Sequence, residues 1–79
     1  MQHDTTRFSA DWLAKMSPEQ VARAVATFGR ESVTGGDYAA HIAREAVIDA
    51  WMELRGFEDR AAAITDLIRI DLAARLTTV

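Results

Sequence analysis

The 79-residue chain has no cysteine, so neither a disulfide framework nor a thiolate-held metal is open to it. Long apolar runs are also missing, and none approaches the roughly 20 residues that a membrane-spanning helix needs. No basic segment leads into an apolar stretch near the N-terminus. A secretory leader is therefore not expected, and the expected location is the cytoplasm. Basic residues never stand side by side: one lysine and eight arginines are scattered from Arg7 to Arg75. Nucleic acid is held largely through the release of phosphate counterions, which takes several cations on one face. Nucleic acid is thus a poor expectation, and an anionic membrane surface is disfavoured on the same ground.

The motifs of common enzymes are absent too. There is no GxSxG elbow, no Walker A loop and no dinucleotide fingerprint. Ser9 and Ser17 read as helix caps, and Ser32 beside Glu31 has no histidine near it in sequence. Paired carboxylates need a cleft that drives their pKa values apart, and a chain this short rarely encloses one. Gly35-Gly36 precede a helix, but Asp37 already occupies its positive end, where an anion would meet a like charge. No catalytic residue and no cofactor is expected.

What is present fits one domain. A folded chain of this mass should expose roughly 4,700 Å² against about 12,600 Å² unfolded, close to the lower limit for a domain that stands alone. Twelve acids oppose nine bases, net −3. That charge is ordinary for solubility and also compatible with a basic partner surface.

Residues 1–8 read as a flexible polar tail and 9–79 as a single helical domain. Ser9 caps a short helix over about 10–16, with Trp12, Leu13 and Met16 apolar and Phe8 as a possible staple on Leu13. Ser17-Pro18-Glu19-Gln20 is the clearest start signal, a capping box with proline at the first helical position. Val21, Val25 and Phe28 then mark one helix face, and Gly29 is expected to end it. Residues 29–36 read as a loop. A third helix is expected over 37–55, capped by Thr34 or Asp37, with Ala39, Ile42, Ala43, Ala46, Val47, Ala50 and Leu54 inward and Trp51 as a plug at the edge. Gly56 breaks it. A fourth helix over 58–76 carries two apolar seams: Ala61, Ile64, Ile68 and Leu72, and nearly opposite them Ala63, Leu67, Ile70 and Ala74. Ile68–Leu72 also alternates like a strand, but the flanking alanines favour helix. The expected fold is all-α, a small bundle of two short N-terminal helices and a long antiparallel αα-hairpin. A fourth helix with two apolar sides leaves one side wet unless another helix or a second subunit covers it.

Two features on the third helix could carry function. Asp37, His41, Glu45, Asp49 and Glu53 recur every four residues and form one row. His41 and Glu45 could share a metal or small ligand, although a metal needs three or four converging groups. Ile48 and Met52 lie on the same polar side. They form either an exposed contact patch or a seat for the first helix. A helix-turn-helix wants a shorter turn than the eight residues expected here, and its reading helix would be acidic.

The leading expectation is a non-enzymatic protein-binding module, a small regulator or inhibitor that occupies a surface of a larger protein or pairs with itself. Phage and mobile-element anti-defence proteins are comparable in size and acidity, a likeness of bulk properties alone. The expected contacts are Glu45, Ile48, Asp49, Met52, Leu67, Ile70 and Asp71. The apolar groups would be buried at the centre, and the acids would form a rim that orients a basic partner, with a homodimer as the expected state. The alternatives are a dimeric DNA-binding transcriptional regulator and a metal or small-ligand protein that uses His41 and Glu45.

Overall fold

A computed structural model describes residues 9–77. The expected tail at 1–8, with Phe8 as a staple, lies outside these residues. Four helices follow in order: α1 Ala10–Leu13, α2 Pro18–Thr34, α3 Tyr38–Arg55 and α4 Arg60–Thr77. No strand occurs among the described residues, so Ile68–Leu72 is helical.

The start signals act as read. The Trp12 amide donates to Ser9 Oγ at 3.3 Å. Ser17 forms a complete capping box: the Gln20 amide donates to Ser17 Oγ at 3.2 Å and the Ser17 amide to Gln20 Oε1 at 3.0 Å. Asp37 caps α3 by accepting from the Ala40 amide. At the other end of α3, Gly56 adopts φ 75°, a left-handed cap that side chains resist.

Helix lengths depart from expectation at both ends of the first half. α1 stops at Leu13 rather than near 16. The Lys15 and Met16 amides bond to carbonyls three residues back, which tightens the chain into Ser17. α2 does not stop at Gly29 but runs 17 residues to Thr34. A glycine inside a helix costs only about 1 kcal/mol, and here the missing side chain makes room for a neighbour. A Cβ at Gly29 would stand 3.3 Å from Arg44 Nε of α3. The last turns are bound by hydroxyls, with Ser32 Oγ donating to the Gly29 carbonyl and Thr34 Oγ1 to that of Arg30. At 17 residues α2 is thus one shorter than the two helices of 18 that follow it, and only α1 of the two expected short N-terminal helices is short.

That extra length changes the packing. α2 shares more surface with α3 and with α4 than those two share with each other, and α1 lies on α3. Polar contacts between α3 and α4 join Glu45 and Asp49 to Arg60 and Trp51 to Asp66. They climb both helices in the same sense. An antiparallel hairpin would run them in opposite senses, so α4 crosses α3 instead of lying back along it.

The core is built from Leu13, Val21, Ala22, Val25, Val47, Ile48, Ala50, Trp51, Ala63 and Leu67. Trp51 is buried as expected, with its indole N–H donating to Asp66 Oδ2 at 3.0 Å. The guanidinium of Arg55 lies 4.6 Å from the centre of its ring, a cation–π contact. The buried face of α3 is turned from the expected one. Val47 and Ala50 are inside as expected, but Ala39 and Leu54 are exposed, while Ala40 and Ile48 are buried. The cause is that α3 is covered from several sides, by α1, α2 and α4.

Candidate functional site

The seven residues expected to contact a partner do not form one surface. Ile48 is 0% exposed. Ile48 belongs to the single core that all four helices share, so the apolar pair on α3 faces the interior and is not a patch. Met52 is half-buried against that core. Leu67, 2% exposed, lies on the inner seam of α4 with Ala63, and Ile70 is half-buried beside it. Burial removes Ile48 and Leu67 from the set able to touch a partner directly.

Glu45 and Asp49 remain at the surface, but both are engaged. Arg60, at the first position of α4, pairs with both carboxylates. Arg44 stands 3.8 Å from Glu45, and His41 Nε2 stands 3.9 Å from its Oε1. The row on α3 is thus a charge cluster that Arg60 closes by bringing α4 against it. Arg60 on one oxygen of Glu45 and Arg44 near the other would compete with a metal for that carboxylate. Among the described residues no three His, Cys, Asp or Glu side chains are placed to hold a metal ion. Helical spacing showed the acids, but nothing along the sequence pointed to a partner on the next helix.

The seventh residue, Asp71, leads elsewhere. It is only 8% exposed. Its Oδ2 accepts from Arg75 Nε one turn on, at 2.9 Å, while its buried Oδ1 has no hydrogen-bond partner among the described residues. Asp71 belongs to a groove of about 260 Å³ between α2 and α4. α2 contributes Ala22, Val25, Ala26, Gly29 and Arg30; α4 contributes Ile64, Leu67, Ile68, Asp71 and Leu72; Arg44 reaches in from α3. One wall is low, because Ala22, Ala26 and Gly29 carry little or no side chain. The other is high and aliphatic.

The outer seam of α4 forms the rim. Ile68 is 55% exposed, Leu72 56% and Leu76 78%. They stand four residues apart and so form one row on the helix. The sequence reading identified this seam but assigned the contacts to the other one, Leu67 and Ile70, which the fold uses for its own core. No family model, characterised protein or solved structure matches the chain. Function must therefore be argued from this geometry. The groove lining holds no serine, cysteine, histidine or lysine. What it offers is apolar area, two guanidinium groups and one shielded carboxylate. No described helix is long and apolar enough to cross a membrane.

Proposed function

We propose that the chain is a protein-binding module without catalytic activity, a small regulator or inhibitor that seats its α2/α4 face on a larger protein. The observation that carries this reading is the exposed row Ile68, Leu72 and Leu76 beside an apolar groove. Burying a whole Leu or Ile side chain contributes about 1.5–3 kcal/mol. Two half-exposed groups and one more open therefore give roughly 3–5 kcal/mol. A micromolar complex needs about 8 kcal/mol beyond the costs of association. The row alone is too small, so the partner must also fill the groove behind it.

The test is affinity capture from the native host with the intact chain and with Leu72→Asp, both checked for the same helical circular dichroism. The reading expects one protein to be retained by the first and lost with the second. Equal retention by both would exclude the α2/α4 face. A second copy is the competing occupant, and light scattering distinguishes it. A particle of 8.7 kDa leaves the face free for another protein. Twice that mass, returning to the monomer on Leu72→Asp, assigns the face to self-pairing.

A further inference from the structure

We infer that the α2/α4 groove takes an acidic amphipathic helix, so the partner's contacting element is negative although this chain is itself acidic. The inference rests on the docking reading above and adds the shape and charge of what docks. The chain carries net −3, but the groove departs from that average. Its lining has two arginines and one aspartate, a balance of +1. The aspartate is withdrawn: Asp71 is almost wholly buried and held by Arg75. The arginines are less committed. Arg30 is exposed and makes no ion pair with any described carboxylate, and the ion contact of Arg44 is Glu45 at a long 3.8 Å. Glu45 and Asp49 of α3 are drawn towards Arg60, and no acid of α3 belongs to the lining. An incoming carboxylate therefore meets one guanidinium unpaired among the described residues, Arg30, and one held only at long range, Arg44, groups able to make paired hydrogen bonds. An incoming ammonium meets the same charge as its own.

The shape argues for a helix. Ile68, Leu72 and Leu76 repeat at helical spacing, which matches a ligand whose apolar anchors recur every three or four residues. Across from them, Ala22 and Ala26 keep the α2 wall low and leave room for the partner's side chains, while Arg44 fills the space over Gly29. The occupant would set leucine-like side chains against Ile68 and Leu72 and flank them with Glu or Asp aimed at Arg30 and Arg44. Such a contact would weaken as salt is raised, because exposed pairs are screened.

The experiment uses the full chain and two fluorescein-labelled peptides of about 18 residues with the same leucine row, one flanked by glutamates and one by lysines. Fluorescence anisotropy at low salt is expected to show the acidic peptide binding at least about tenfold more tightly. Arg30→Glu should abolish or reverse that preference, and Leu72→Glu should remove binding of both. Equal or tighter binding of the lysine peptide that still depends on Leu72 overturns the acidic partner while leaving the docking face intact. Binding insensitive to Leu72→Glu, or no binding of either peptide, overturns both. Saturation of the face by a second copy in light scattering, or a preference for anionic phospholipid vesicles over the acidic peptide, also overturns it.

Discussion

Two pairs of large aliphatic side chains in this molecule look alike along the chain. Ile48 and Met52 on α3, and Ile68 and Leu72 on α4, each stand four residues apart with charged neighbours. Their fates differ. The first pair is taken into the shared core by the neighbouring helices, while the second stays at the surface beside a groove. Local pattern decides that a helix has a second apolar side. Whether that side is covered depends on how many elements are left to cover it. The contrast is between a hydrophobic patch used internally and one left available.

The largest test of that contrast is Ile48→Asp. A charge placed without a partner in the core should cost more than about 4 kcal/mol, a large part of what so small a domain possesses. Loss of the cooperative thermal transition in far-ultraviolet circular dichroism is expected; a folded, merely weakened protein would show that Ile48 is only loosely enclosed. Leu13→Ala comes next, at about 2–4 kcal/mol, with increased binding of a hydrophobic dye as the core loosens where α1 joins it. Ser17→Ala should cost about 1 kcal/mol through loss of the capping box, read as a fall in melting temperature of roughly 4–8 °C.

Gly29→Ala carries the opposite sign. The new methyl meets only the movable side chain of Arg44, and the helix gains up to about 1 kcal/mol in propensity. A higher melting temperature is expected; a lower one would mean that the close approach of α3 to α2 has no room to relax. Smallest is Leu72→Asp, which should shift stability by less than about 0.5 kcal/mol while removing partner capture. Ile48→Asp and Leu72→Asp make the same chemical change in two similar settings. If both unfold the protein, the distinction between the pairs is lost.

Much of the fold was legible because its punctuation is local. Ser9, Ser17-Pro18-Gln20, Asp37 and Gly56 act within a turn of themselves, and each operates as its sequence context suggests. Gly29 was misread because its role is not local: a bare α-carbon in mid-helix serves Arg44, fifteen residues away. The same blindness affected the site. Ile48 lies on a polar side of its own helix and is buried by another, and Arg60 finds Glu45 and Asp49 through a crossing that no single helix records. The two seams of α4 were visible from periodicity, but which one faced inward depended on the length of α2. The charge beside the open seam was hidden for the same reason. Arg30 and Arg44 belong to two other helices and meet α4 only after folding.

Trp51 and Trp12 give the molecule two optical reporters in unlike surroundings. Trp51 is sealed in the interior, tied to Asp66 and stacked under Arg55, while Trp12 sits at the surface on α1. Neither lines the α2/α4 groove. Intrinsic emission should therefore follow the opening of the interior and stay nearly constant when that groove is filled. In a Trp12→Phe protein the remaining indole would report unfolding alone, so stability and occupancy could be measured on one sample without one signal being mistaken for the other.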